Sequence, residues 1–439
     1  MLITLTIGLK MRKIEYRRNG SEIMITKQKG TYDLLGTDAK IYNYIENEIK
    51  AFMNNYNYEY MRTPIFEASE LFHRRVGEGT DIVTKETYDF KDRGDREITL
   101  RPEGTAGVVR SVIENKLYGN RNDTLKYYYL GTMYRYERPQ AGRNREFTQF
   151  GVEVFNSNDE MIDAEVISLG FFLLKSLGID DITVELNTLG DAETRENYTK
   201  ALKEYLKPLI KDLCPDCQKR YETNPLRILD CKVDKDSDIL KNAPVITDYL
   251  SAEAKSKFKR LKEILTILDV DYEENTHIVR GLDYYDYNVW EYVNDEGITL
   301  GAGGRYNHLV ENLGGPSLPA VGFAFGLERI IIELKKKLEG KEINNQVDVY
   351  VMSVSEEEKM YACSIAQNLR LNNIPTEINT TNLSLKSQFK IADKLEAKFL
   401  VILNNDDLSK VLVNINDNAT KEETKIDESE LVDFLLANI

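Results

Sequence analysis

The chain has 439 residues, 42% of them hydrophobic and 30% charged, a balance that argues against both wholesale disorder and membrane insertion. That length suits roughly two to four domains, each able to bury its own core. A formal net charge of -15 excludes a protein that coats nucleic acid non-specifically, so any such contact must rest on a local basic patch. No apolar run approaches the roughly eighteen residues that span a bilayer. The apolar start, Met1 to Leu9, precedes its positive charges, the wrong order for a secretory signal, and a cytoplasmic location is expected.

Residues 1–23 carry Lys10, Arg12, Lys13, Arg17 and Arg18 and do not blend into the more ordinary sequence that Met24 opens. They read as an N-terminal extension from a misplaced start, or a frayed tail, rather than an RNA-touching arm. From Thr37 to Tyr56, Ile41, Tyr44, Ile45, Ile49 and Phe52 recur at helical spacing and predict an amphipathic helix. In TLRPEGTAG (Thr99 to Gly107) a strand ends at a proline and a small-residue turn opens the helix Val108 to Leu117. Glu103 at that junction either binds an ammonium group or caps the helix, a role Thr105 also suits.

Alternation over Thr124 to Tyr136 and Phe147 to Phe155 predicts an antiparallel hairpin with a long loop. Strand parity puts Arg135 and Glu137 on one face of the outgoing strand, and Phe147, Gln149, Gly151, Glu153 and Phe155 also share a face on the returning one. Between the strands Arg138, Arg143 and Arg145 concentrate positive charge, which either grips phosphate oxygens or forms a solvated loop. Helical periodicity returns from Asp163 to Leu177, and residues 190–275 read as a helical insertion. Cys214, Cys217 and Cys231 there would be three ligands of a zinc site, but no histidine lies near and the fourth ligand is missing. No protein-bound zinc is expected, and no disulfide framework.

A second block of strands covers Ile278 to Val293 and Ile298 to Phe325, ending in a helix from about Gly326. VRGLDYY (Val279 to Tyr285) sets an arginine, an aspartate and two tyrosines in seven residues; Arg280 is either functional or paired with Asp283. GAGGRY (Gly301 to Tyr306) lacks the spacing and lysine of a phosphate-binding P-loop. Arg329, in the first turn of the last helix, either reinforces anion binding there or pairs with Glu328 or Glu333. Residues 336–345 form a charged linker, and 346–439 alternate strand and helix as a compact α/β domain. That domain has nine Lys and Arg against sixteen Asp and Glu, yet Lys386, Lys390, Lys394 and Lys398 recur every four residues as a basic ridge.

TLRPEGT, RGLDYY, and GGRY followed by VGFAFGLER, in this order, resemble the class II aminoacyl-tRNA synthetases and, among them, the histidine-specific family. The resemblance runs from Met24 to about Leu403. It implies an α+β fold: a catalytic core over 24–335 on an antiparallel sheet, interrupted by the helical insertion, then an α/β anticodon-binding domain. It implies activation of histidine with ATP and Mg2+ to histidyl-adenylate and pyrophosphate, then transfer to the 3′-terminal ribose of tRNA(His). Carried over residue by residue, Arg135, Glu137, Arg143, Phe147 and Arg329 would hold ATP. Glu103, Thr105, Gln149, Glu153, Arg280, Tyr284 and Tyr285 would hold histidine, with Glu153 and Tyr285 reading its two ring nitrogens. Arg135 and Arg280 would stabilise charge on the α-phosphate, Gln140 and Arg145 would meet the tRNA acceptor end, and Lys386 and Lys390 the anticodon side. A homodimer is implied, with no membrane partner. Asn404 to Asp407, NNDD, departs from the family pattern. The main alternative is a non-catalytic, synthetase-like regulatory subunit of ATP phosphoribosyltransferase, a class that generally lacks the anticodon domain.

Overall fold

The computed structural model describes residues 25–73, 86–119, 123–231, 233–234, 236–278, 284–338, 347–404 and 412–439. The N-terminal extension, Arg280 and Asp283, and most of the expected linker lie outside the described residues. In chain order the strands are β1 (Glu59–Tyr60), β2 (Phe66–Ala68), β3 (Tyr88–Lys91), β4 (Glu97–Leu100), β5 (Leu125–Tyr134), β6 (Glu146–Phe155), β7 (Ile182–Thr188) and β8 (Tyr272–Glu274). They continue with β9 (Asp286–Asn294), β10 (Thr299–Arg305), β11 (Ala320–Gly326), β12 (Val349–Met352), β13 (Thr376–Ile378), β14 (Phe399–Ile402), β15 (Leu412–Asp417) and β16 (Glu423–Asp427). The longer helices are α1 (Gly36–Asn55), α2 (Thr105–Glu114), α3 (Glu160–Ser176), α4 (Ala192–Leu206), α5 (Pro215–Thr223), α6 (Ala252–Ile267), α7 (Leu327–Lys337), α8 (Glu356–Leu371), α9 (Leu385–Lys394) and α10 (Leu431–Asn438).

Eight strands form the main sheet in the order β1-β5-β6-β11-β10-β9-β7-β8, antiparallel except for the β1–β5 and β7–β8 pairs at its edges. Phe150, Val152 and Val154 of β6, with Val321, Phe323 and Phe325 of β11, face one core, against which α1 and α3 pack. The seam of α1 is Ile41, Ile45, Ile49 and Met53, all buried. Tyr44, expected on that seam, is exposed, because the i, i+4 register set by the isoleucines carries the stripe on to Met53. Each fully buried isoleucine of this kind contributes roughly 1.5–3 kcal/mol. Among the described residues no helix is long and apolar enough to cross a membrane.

The stretch expected as one helical insertion divides between two cores. Helices α4 and α5 and the short turns after them enclose a cluster that includes Tyr198, Leu202, Leu206, Ile228 and Leu240. Helix α6 instead packs on α3 through Phe258, Leu261 and Leu265, and β8 joins β7 in the main sheet. Periodicity identifies a helix but not the core its apolar face meets. The charged stretch expected to start the linker is helical through Lys337: Lys335 pairs with Asp38 at 2.7 Å and Lys336 with Glu296 at 2.7 Å.

The terminal sheet runs β13-β12-β14-β15-β16, its first three strands parallel and the last two antiparallel. Alternating strands and helices account for β12 to β14 with α8 and α9, and Ser355 with Glu358 forms a capping box at the start of α8. Strands β15 and β16 and helix α10 went unpredicted; ETKID carries one apolar residue, and LVDFLLAN is too short for helical periodicity to stand out.

Arg305, at the end of β10, anchors that strand to α3. Its Nε donates to both carboxylate oxygens of Asp163 at 3.1 Å and its Nη1 to the Ser157 carbonyl at 2.9 Å, with both charged groups almost wholly buried. Asn288 adds a 3.2 Å donation to Asp163 Oδ1. Removing one member would leave the other charge stranded in the core. Asp163→Ala is expected to cost about 3–5 kcal/mol of stability, read from urea unfolding midpoints; a loss near that of an exposed pair would place Arg305 in contact with water.

Candidate active site

Strand β6 organises the site. Its residues Gln149, Gly151 and Glu153 turn away from the main core, as the parity predicts. Across the sheet Glu153 lies opposite Tyr127 on β5 and Gly322 on β11, and Gly322 lies opposite Gly304 on β10. The next row reads Tyr129, Gly151, Ala324 and Ala302. Small residues on β10 and β11 thus form the floor of a trough in which the Glu153 and Tyr285 side chains lie, over Gly322 and Gly304. A Cβ on Gly322 would stand 2.0 Å from Glu153 Oε2, so no other residue fits beside that carboxyl.

Glu153 is only 1% exposed. Thr105 Oγ1 donates to its Oε1 at 2.6 Å, and the Tyr306 hydroxyl donates to its Oε2. Burial pushes the carboxyl up to about 8; the two hydrogen bonds pull it down and the nearby Glu103 adds to the rise. Glu103 accepts from the backbone N–H groups of Thr105 at 2.7 Å and Ala106 at 2.9 Å, capping α2. Burial raises its pKa too, while those bonds and the Arg135 charge oppose the rise. Gln149 Oε1 accepts from Gly104 N–H at 3.0 Å and from the Tyr129 hydroxyl at 3.3 Å. Tyr284, Tyr285 and Tyr306 form an aromatic wall, with ring centroids 4.7, 5.6 and 6.3 Å apart. Two buried carboxyls beside three phenols suit a small ligand bearing N–H donors and a flat or cationic group.

Toward the hairpin loop the chemistry turns cationic. Arg135 closes the hairpin through its N–H to the Arg145 carbonyl at 2.9 Å; its guanidinium donates to the Pro102 carbonyl at 2.8 Å and lies 5.1 Å from the Phe147 ring centroid. Arg143 sits 3.8 Å from Glu137. Arg329, in the first turn of α7, donates to the Thr299 carbonyl. The loop folds over it: a Cβ on Gly142, whose φ is +69°, would stand 2.9 Å from Arg329 Cγ. Burial and the adjacent Arg143 charge hold the Arg329 guanidinium below its usual range, opposed by Glu137 and Glu291. Two guanidiniums kept close at a helix N-terminus are suited to a polyanion. From Glu153 to Phe147 is six residues of strand, roughly 20 Å, the scale of an amino acid joined to a nucleotide.

Comparison with known families divides the chain into the same two domains. Residues 30–330 match the family model described as histidyl-tRNA synthetase, and residues 348–438 match an anticodon binding domain. The chain belongs to the histidyl-tRNA synthetase family. A histidine–tRNA ligase of Bacillus cytotoxicus is 46% identical over 403 residues, covering 91% of this chain and 95% of that relative. The apo histidyl-tRNA synthetase of S. aureus, 37% identical, superposes with a TM-score of 0.80 over 94% of this chain and 100% of its own. A protein of Bacillus halodurans described as an ATP phosphoribosyltransferase regulatory subunit/histidyl-tRNA synthetase shares the fold at 20% identity and a TM-score of 0.63, covering 88% of this chain and 100% of its own.

In this member of the histidyl-tRNA synthetase family, Glu103, Thr105, Gln149, Glu153, Tyr284 and Tyr285 gather at one end of the trough, and Arg135, Glu137, Arg143, Phe147 and Arg329 at the other. Several expectations are corrected. A phenol outside the expected set, Tyr306, donates to Glu153, while Tyr285 lies over Gly304, where a Cβ would come within 2.5 Å of its ring. Strand β5 ends at Tyr134, so parity does not place Glu137, which lies in the loop. Arg329 makes neither expected pair, because Glu328 accepts from the Tyr32 hydroxyl at 2.8 Å and Thr148 N–H at 2.7 Å, and Glu333 pairs with Lys336 at 3.0 Å. Arg145 braces the hairpin, its guanidinium 3.9 Å above the Tyr136 ring and its Nε 3.1 Å from the Glu137 carbonyl. Gln140 is exposed in the loop. Lys386, Lys390 and Lys394 are exposed on α9, but Lys398 lies past the helix end, 3.6 Å from Asp348, so the ridge has three lysines.

Tyr306 and Tyr129 were missed as site residues. GGRY contains the first, and the hairpin register would have put Tyr129 on the Gln149 face. The Glu153 carboxyl gives a pH test. In the window from its usual 4.5 up to about 8, the folded chain holds a proton that the unfolded chain has lost, so stability falls as pH rises across it. Glu153→Gln is expected to remove that slope, so that urea midpoints of wild type decline relative to the variant between pH 5 and 8. Parallel curves would contradict a buried, protonated Glu153.

Proposed function

We propose that the chain ligates histidine to tRNA(His): it activates histidine with ATP, releasing pyrophosphate, and transfers the histidyl group to the 3′-terminal ribose of the tRNA. The observation that carries this reading is one strand, β6, with buried carboxyls and phenols beside Glu153 and clustered guanidiniums beside Phe147. Glu153 and Tyr306 face the imidazole, which offers one donor and one acceptor when neutral, so a carboxyl paired with a phenol can meet both ring nitrogens. Glu103 and Gln149 hold the α-ammonium group. Phe147 stacks on adenine with Glu137 beside it, and Arg143 and Arg329 bind the polyphosphate. Arg135, with Arg280 from the RGLDYY segment, stabilises charge on the α-phosphate as the histidine carboxylate attacks. Catalysis is then positioning plus electrostatic stabilisation. Magnesium travels with ATP; Glu137 and Glu291, the carboxylates acting on Arg329, offer the oxygen ligands such a cation takes.

A site that satisfies buried polar atoms in this way rejects isosteres lacking ring nitrogens without editing. Gln140 meets the acceptor end of the tRNA, and Lys386 and Lys390 the anticodon side, while the pair of catalytic cores in a homodimer follows the habit of symmetric oligomers.

Histidine-dependent exchange of labelled pyrophosphate into ATP tests the first step. Exchange is expected with histidine and not with the other amino acids; its absence in folded protein would sink the ligase reading and leave the regulatory-subunit alternative. Arg280→Ala is expected to slow exchange roughly a hundredfold, about 3 kcal/mol, as for loss of a preorganised charge stabiliser. Reversing Lys386 and Lys390 to Glu should weaken tRNA charging and leave exchange intact; equal loss of both would remove the lysines from tRNA binding.

A further inference from the structure

In the insertion, Cys214, Cys217, Cys231 and Asp234 repeat one spacing twice, C-x-x-C and then C-x-x-D. Cys214 is the N-cap of α5 and Pro215 its first residue, so the helix start sets the first pair one turn apart. One ligand atom from each of the four side chains lies within 4.8 Å of all the others. Cys214 Sγ is 3.6 Å from Cys231 Sγ, and Cys231 Sγ is 3.6 Å from Asp234 Oδ2. A tetrahedron with zinc–sulfur bonds of about 2.3 Å and a zinc–oxygen bond of about 2.1 Å has edges of about 3.8 Å between sulfurs and about 3.6 Å from sulfur to oxygen. The Cys214–Cys231 and Cys231–Asp234 separations fall on those edges, and the remaining pairs stay within 4.8 Å.

We propose that these four side chains hold one structural zinc ion. Three soft thiolates select zinc over magnesium or calcium, and four protein ligands leave no open position for a substrate, which separates a structural site from a catalytic one. The Cys214 N–H donates to Asp234 Oδ2 at 3.0 Å, an outer bond of the kind that orients a ligating carboxylate. The expectation of no protein-bound zinc rested on a missing fourth ligand; Asp234 supplies it, and a search for cysteine or histidine alone passes over it.

The surroundings give the ion something to do. Cys217 and Cys231 belong to the insertion's own cluster with Leu213, Ile228, Leu229 and Leu240, a core of short helices and turns between α4 and α6 with no sheet among its described residues. Small units of this kind seldom reach stability on apolar burial alone. The same cluster extends to Ile278 and Val289 and touches Tyr285, so the zinc steadies the elements behind one wall of the trough.

The test uses the full chain, purified without chelator, and needs no activity assay. Elemental analysis should find one zinc per chain. After removal by a chelator under reducing conditions, Co2+ alone should give intense tetrahedral d–d bands and a sulfur-to-cobalt charge-transfer band, saturating at one equivalent and bleached by zinc. Adding zinc back should raise the melting temperature of the stripped wild type. Asp234→Asn should shift the d–d bands while keeping the charge-transfer band, and Cys231→Ser should weaken the latter. Sub-stoichiometric zinc together with a weak, octahedral cobalt spectrum in the stripped, folded wild type would overturn the proposal. So would a peptide map showing Cys214 joined to Cys231 in the protein as isolated. Because wild type supplies the deciding spectra, a variant that fails to fold does not rescue the idea.

Discussion

A carboxyl group placed on the inner row of an eight-stranded sheet imposes conditions on everything around it. Glu153 has almost no contact with water, so its oxygens need donors from the protein, and they receive them from Thr105 at the start of α2 and Tyr306 just after β10. Those donors come from segments 48 and 153 residues away in the chain. Their convergence fixes how the start of α2 sits over β6 and how far β10 runs before it turns. Gly322 must be glycine for the carboxyl to lie flat on β11. The trough is therefore less a gap left by packing than the space needed to bury one acid with its partners.

The other end of the trough solves the opposite problem. In a protein of net charge -15, Arg135, Arg143 and Arg329 are collected by a hairpin loop that folds onto the first turn of α7. Nothing in the overall charge would favour a polyanion there; the local field does, because partly buried guanidiniums at a helix start are poorly screened. Arg305, in the GAGGRY segment, serves the fold instead, locked to Asp163 of α3. Arg305 and Arg329, close together in the chain, thus do unrelated work, decided by whether a carboxylate waits in the core.

The helical insertion shows how a unit without a sheet can be attached to one. Part of it, α6 with β8, is absorbed into the main core, and the remainder closes on a small apolar cluster that shares Val289 with the back of β9. Whatever steadies that cluster steadies the Tyr284–Tyr285 corner, since the two meet at Tyr285.

Local pattern was enough to locate most elements and one face of the site. Alternation along β6 put Gln149 and Glu153 together because strand side chains alternate strictly, and the isoleucines of α1 announced their helix because a 3.6-residue period has few imitators. The family's motifs added which chemistry to look for. What the sequence could not contain is pairing across distance: Tyr306 on Glu153, Lys398 on Asp348 rather than in a lysine ridge, α6 on the main core, and Asp234 beside three cysteines. Each depends on the register between strands or on where a helix ends, and these are set by the packing of the whole chain, since a change of one residue in either turns a side chain to the other face.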